Sequence, residues 1–164
     1  MGVKVYTCGL YENIMQKMIR GIKYHRQKEL AFYIAKFMWE YFQKLNLEDN
    51  FVVVPVPLSK KRRKQRGYNH MELVAEEFRK LSGLEHDFNL IKRIKNTKPQ
   101  YRLKRKDRMK NLKNAFEVVK STEKPILLID DICTTGSTFE SMILELNKKG
   151  IYNITCLAAA TVEF

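Results

Sequence analysis

The chain has 164 residues, 45% of them hydrophobic, enough for one domain that buries roughly 70% of the surface its unfolded chain exposes, which excludes wholesale disorder. Its formal net charge is +13, from 31 Lys+Arg against 18 Asp+Glu. No apolar run reaches a membrane span and no secretory leader opens the chain, so a cytoplasmic protein is expected.

In chain order, Ile14, Met18 and Ile22 share one face of a helix over 12–23, with Met15 and Ile19 beside them. Met1-Gly2 is not a myristoylation start, because Tyr6 stands where Ser or Thr is needed. A longer helix over 28–46 has a wide stripe of Leu30, Ile34, Phe37, Met38, Tyr41 and Leu45, read as core. "FVVVPVPLS" at 51–59 is a buried strand that stops at Pro55 and Pro57. A helix over 69–82 buries Met71, Leu73, Val74, Phe78 and Leu81, and Gly83 ends it. "NLIKRI" at 89–94 reads as a strand, and 95–113 as a mobile basic loop leading into a short helix. A strand over 125–130, a helix over 138–149 and a strand over 153–162 close the chain. Strands alternating with helices predict an α/β fold with a mainly parallel sheet, as one domain: a helical hood from 1–46 and a core from 51–164.

The charge is concentrated. Residues 59–113 hold 19 Lys+Arg against 6 Asp+Glu, and the rest of the chain carries twelve of each. A field of this kind attracts a polyanion, and nucleic acid, polyphosphate and pyrophosphate all qualify. The three cysteines, Cys8, Cys133 and Cys156, are too scattered for a zinc cluster, and no disulfide partner is expected.

"ILLIDDICTTGST" at 126–138 carries the chemistry. It places two carboxylates, Asp130 and Asp131, at a strand end, followed by Thr134, Thr135, Gly136, Ser137 and Thr138 before a helix. In parallel sheets ligands sit at the carboxyl ends of strands. Hydroxyls, open backbone N–H groups and a helix N-terminus suit a phosphate monoester, and Gly136 lets the backbone approach it. No lysine follows a glycine at P-loop spacing. Carboxylates repel phosphate but accept hydrogen bonds from a diol, so a ribose 5-phosphate fits, with Mg2+ bridged nearby.

These residues resemble the phosphoribosyl pyrophosphate (PRPP) signature of type I phosphoribosyltransferases over Leu127–Thr138. Two further stretches resemble the ComF-type branch of that fold, associated with natural competence: 53–69, with Pro55, Pro57, Arg66, Gly67 and Asn69, and 95–116, with Thr97, Gln100, Leu103, Arg108, Asn111 and Phe116. "IKYHRQKELA" at 22–31 fits the family's early segment. His70 departs from the usual Gln, and of the cysteine-rich zinc module that opens many members only Cys8 has a counterpart here, so no zinc role follows.

The resemblance implies PRPP binding by Asp130, Asp131 and residues 134–138, and pyrophosphate binding by Arg66, Gly67 and Lys104. Asp130, Asp131 and Arg108 are the residues expected to favour the cationic sugar and clamp the leaving group. Lys60, Lys61, Arg62, Arg63 and Lys64 form a stripe for single-stranded DNA, with Tyr68 and Tyr101 as stacking faces. The implied process is DNA uptake at the cytoplasmic side of the inner membrane, with a membrane DNA channel and a helicase-like protein as partners. A metabolic phosphoribosyltransferase acting on a base or amine, and a non-catalytic nucleic-acid-binding module, are the alternatives.

Overall fold

The computed structural model describes residues 4–47, 50–97 and 103–162. Five parallel strands form the central sheet, in the order β1 (Val5–Thr7), β7 (Ile154–Thr161), β6 (Ile126–Cys133), β2 (Val52–Pro55), β3 (Glu85–His86). A separate antiparallel pair joins β4 (Ile91–Arg93) to β5 (Phe116–Val118). The helices are α1 (Asn13–Tyr24), α2 (Leu30–Lys44), α3 (Lys60–Arg66), α4 (His70–Ser82), α5 (Arg105–Leu112) and α6 (Ser137–Lys148).

The apolar runs of β2 and β6 are continuous because both faces of the sheet are covered. Side chains alternate between two cores. Val53, Leu127, Ile129 and Leu157 pack against α1, α2 and α4. Val52, Val54, Ile126, Leu128 and Cys156 pack on the other side, against α6, Leu112 of α5 and the β4–β5 pair. On the first face Phe42, Phe51, Phe78 and Trp39 form an aromatic cluster with ring centroids 5.7–6.0 Å apart.

The connections locate a crevice. From β2 the chain passes through α3 and α4 to β3 on one side, and from β6 through α6 to β7 on the other. Winding therefore reverses between neighbours β2 and β6, and the loops after these two strands separate. That is the position at which open α/β sheets bind ligands.

Five expectations change, one of them Phe37 of α2, expected in the core stripe but exposed. The buried face of α1 is set by Met15, Ile19 and Ile22, and Ile14 is exposed, a rotation of about one residue. Residues 5–7 form a strand on the edge of the sheet, so the N-terminal segment extends the core as well as covering it. β6 runs past the expected end at Asp130 to Cys133, which puts both acids inside the strand. The basic run 60–66 is helical, because the Ser59 side chain caps it by accepting from Arg62 N at 3.3 Å, and Gly67 closes it in the left-handed region at φ 88°.

Candidate functional site

The crevice is a cavity of about 610 Å3, within the range of small-molecule sites. The end of β2 contributes Val56, Pro57 and Leu58, and the end of β6 contributes Asp130, Asp131, Ile132 and Cys133. Thr134, Gly136, Ser137 and Thr138 form its floor at the start of α6. Lys23, Tyr24 and Arg26 enter from α1 and the turn after it, and Arg62, Arg66, Arg93 and Arg108 complete the wall.

The floor is the start of α6. Ser59 caps α3 and Asn69 caps α4, the latter accepting from Met71 N at 2.9 Å while its amide donates to Val56 O at 3.2 Å. α6 has no such cap, because its N-cap is Gly136 at φ 78°, with open space where a Cβ would stand. Its first turn therefore faces the cavity without a side-chain acceptor of its own at the N-cap. Thr135 and Ser137 share a hydroxyl hydrogen bond of 2.9 Å, and the Thr135 hydroxyl also accepts from Ser137 N at 3.4 Å, which fixes the turn. Thr135 is thus a brace, and the hydroxyls lining the cavity are those of Thr134, Ser137 and Thr138.

The two neighbouring acids differ. Asp131 is buried, and one of its oxygens receives Lys23 Nζ from α1 at 2.8 Å and His70 Nε2 from α4 at 2.5 Å. Its other oxygen accepts from Ile132 N at 2.6 Å. Three donors therefore reach this carboxylate, and these partners hold it below the usual carboxylate range. Asp130 is half-buried, and one of its oxygens accepts from Asp131 N at 2.8 Å. Burial first, and then the adjacent Asp131 charge, raise Asp130 well above the ordinary value. Both acids line the cavity, and Asp131 also ties α1 and α4 to the sheet.

His70 is neutral, and geometry fixes its tautomer. Its Nδ1 lies 2.6 Å from Arg66 Nη1, which can only donate, so Nδ1 must accept and Nε2–H donates to Asp131. Burial also lowers its pKa. The glutamine usual at this position in the ComF-type resemblance offers the same pair, one amide donor and one acceptor, so the departure at His70 conserves the hydrogen-bonding pattern.

The basic residues separate into groups. Arg62 and Arg66 line the cavity. Arg63 is bound bidentately to Glu72 at 2.7 and 3.0 Å. Lys60, Lys61 and Lys64 are exposed outside the cavity. Gly67 N–H donates to Arg63 O at 2.7 Å, so it is committed to ending α3 and does not line the cavity. Lys104 is exposed ahead of α5, also off the cavity. Arg108 does line it, donating from Nη1 to the Thr134 hydroxyl and from Nε to Leu103 O at 2.9 Å. Tyr68 is no stacking surface, being buried with its hydroxyl donating to Ile22 O. Gln100 and Tyr101 lie outside the described residues.

Sequence reasoning missed Arg93. It is only 9% exposed, its Nε has no hydrogen-bond partner among the described residues, and it lies over the Phe116 ring at 5.5 Å with Nη2 donating to Thr97. Burial pulls its guanidinium down to about 10, helped by neighbouring Arg62. A buried cation with so little compensation suits a site that receives an anion. The available signal was its inward position in β4, between outward Lys92 and the strand end. Lys23 was legible in the same way, one turn after buried Ile19. Cys133 lines the cavity, but burial and Asp130 push its thiol up, which argues against a thiolate nucleophile.

No family model matches the chain. It is 31% identical over 161 residues to competence protein F of Haemophilus influenzae, an alignment spanning 92% of this chain and 69% of that protein. It is 29% identical to the DNA utilization protein YhgH of Salmonella typhimurium (93% and 66%) and 30% to the competence protein ComFC of Bacillus subtilis (89% and 58%). The chain thus spans roughly two thirds of the length of these relatives. Among solved structures it is similar to a hypoxanthine phosphoribosyltransferase of Staphylococcus aureus, at 17% identity and a TM-score of 0.44, covering 80% of this chain and 62% of that one.

The neutral His70 generates a pH prediction. Because its folded pKa lies below the unfolded value of about 6.5, its contribution is complete above that pH and is lost on acidification, by up to about 1.4 kcal/mol per pH unit. Urea unfolding from pH 5 to 8 should show the parent losing stability relative to His70→Gln below about pH 6.5, with a constant difference above pH 7. A difference that does not change with pH would contradict the neutral assignment.

Proposed function

The chain belongs to the competence protein F family, and we propose that it binds PRPP in this cavity and acts in DNA uptake. What carries the reading is the set of groups that line one cavity. An uncapped helix start with three hydroxyls lies at the floor, Asp130 stands beside it, and buried Arg93 with Arg62 forms an anion-seeking wall. An anion, a diol and a second, more highly charged anion would each meet matching groups there.

When bound, Mg2+ would supply charge neutralisation at the pyrophosphate. Among the described residues no three acidic, histidine or cysteine side chains converge on a metal position. Asp131 is committed, so Asp130 is the carboxylate left to share a cation with ligand oxygens, which suits the few protein ligands that magnesium takes beside phosphates.

Group transfer would form a bond from an acceptor atom to C1 of the ribose while the C1–oxygen bond breaks and pyrophosphate leaves with the electron pair. Asp130 would accept the ribose hydroxyls and favour the cationic ring, and the departing pyrophosphate would take up the proton that the acceptor gives up. Arg93 and Arg62, with Arg66, would hold the departing pyrophosphate. Arg108, bonded to Thr134, would tie α5 to the phosphate floor.

The DNA-uptake role is supported by the names of the relatives, two of them competence proteins and one a DNA utilization protein. Single-stranded DNA would run along α3, where Lys60, Lys61 and Lys64 are exposed beside the cavity. The proposed place is the cytoplasmic face of the inner membrane, beside a DNA channel and a helicase-like partner. No described helix is long and apolar enough to cross a membrane.

Thermal unfolding with and without magnesium–PRPP tests the ligand. At one hundred times the dissociation constant the parent should gain about 2.7 kcal/mol, roughly 5–10 °C for a domain of this size. Asp130→Asn and Arg93→Met should fold with midpoints near or above the parent's and lose most of that shift. No shift in the parent would overturn the reading. For DNA, log affinity against log salt should be steep, and replacing Lys60, Lys61 and Lys64 with Gln should flatten the slope by about 2, at ~0.7 per contact. An unchanged slope would remove α3 from the DNA path.

A further inference from the structure

The wall contributed by α1 and its following turn has no task in the reading above, and its chemistry is specific. Tyr24 ends α1 and lines the cavity, yet it is 58% exposed. The guanidinium carbons of Arg20 and Arg66 each lie 5.8 Å from its ring centroid. Two positions on, Arg26 also lines the cavity, is exposed, and holds φ 54°, a left-handed conformation that L side chains other than Asn and Asp seldom adopt. An exposed aromatic flanked by cations beside a strained arginine is costly to keep for packing alone.

Charge identifies the class of ligand. Lys23, Arg26 and Arg66 face this side of the cavity, and the carboxylate directly on them is Asp131, already ion-paired with Lys23. Beyond the Lys23–Asp131 pair, Arg26 and a guanidinium shared with the pyrophosphate, Arg66, leave a positive excess that favours an anionic ligand. An uncharged free base would leave that excess unanswered, and an inorganic anion would leave the Tyr24 face unused. A base carrying a phosphate uses both, through stacking on the ring and ion pairing at its edge.

We propose that the face formed by Lys23, Tyr24, Arg26 and Arg66 is a nucleotide site opposite the sugar-phosphate floor, its ligand being a base with an attached phosphate. The ligand comes either as a free mononucleotide or as the phosphorylated end of a single strand. The site deepens the proposed function, on which its role as the second ligand of the cavity rests.

The test measures binding of dTMP, thymidine and 5′-phosphorylated dT10 to the full chain with ribose 5-phosphate and magnesium present in excess to fill the floor. The parent should bind dTMP at least tenfold more tightly than thymidine. Tyr24→Ala should weaken dTMP at least tenfold, and Tyr24→Phe should restore it. Arg26→Gly relieves the left-handed backbone, so its thermal midpoint should equal or exceed the parent's while dTMP affinity falls at least fivefold. Tighter binding of phosphorylated dT10 than of dTMP supports a strand end, and equal or weaker binding supports the free nucleotide. Thymidine binding as well as dTMP, or dTMP affinity within twofold of the parent in both Tyr24→Ala and Arg26→Gly, overturns the site. A missing thermal shift with PRPP would instead sink the sugar-phosphate reading, and Tyr24→Ala should leave that shift intact.

Discussion

The structure turns on the carboxylate of Asp131. It lies in the central strand of the sheet and draws in Lys23 from α1 and His70 from α4, at 2.8 and 2.5 Å. Three elements far apart in sequence are tied at the crevice where the winding of the sheet reverses. Removing one partner of such a buried pair leaves an uncompensated charge and typically costs about 3–5 kcal/mol. The chain tolerates a buried ammonium there because the anion is fixed in place by the strand and by Ile132 N.

That tie divides the labour of two adjacent acids. Asp130 and Asp131 both line the cavity, but Lys23 and His70 reach Asp131. Asp131 is stabilised as an anion by its partners. Asp130, half-buried beside an existing negative charge, holds a proton more readily. Separation of pKa values in neighbouring groups is a recurrent sign of a chemical site. Here the ion pair on Asp131 brings α1, with Lys23 and Tyr24, onto the cavity wall.

The sequence was informative where one rule governed a segment. Continuous apolar runs marked β2 and β6, helical spacing marked α2, α4 and α6, and the hydroxyl loop before α6 stood out by composition. It failed where two rules competed. Lys60–Lys64 reads only as a stripe of charge, but a serine cap and a left-handed glycine make 60–66 a helix. β1, β3 and β5 are two or three residues long and owe their form to partners, not propensity. Arg93 was hidden because a basic residue in a basic segment looks solvated, and only the inward turn of β4 shows otherwise. The motif over 95–116 was recognised as a pattern, but its physical content emerges in three dimensions: Thr97 and Phe116 hold Arg93, and Leu103 holds Arg108.

The division between the two acids is most directly tested by a crystal structure with ribose 5-phosphate. The phosphate should lie on residues 134–138 at the first turn of α6, with a ribose hydroxyl within hydrogen-bond distance of Asp130 and the Lys23–Asp131 pair intact. A sugar bonded to Asp131 with Lys23 displaced, or a phosphate away from that turn, would contradict the account.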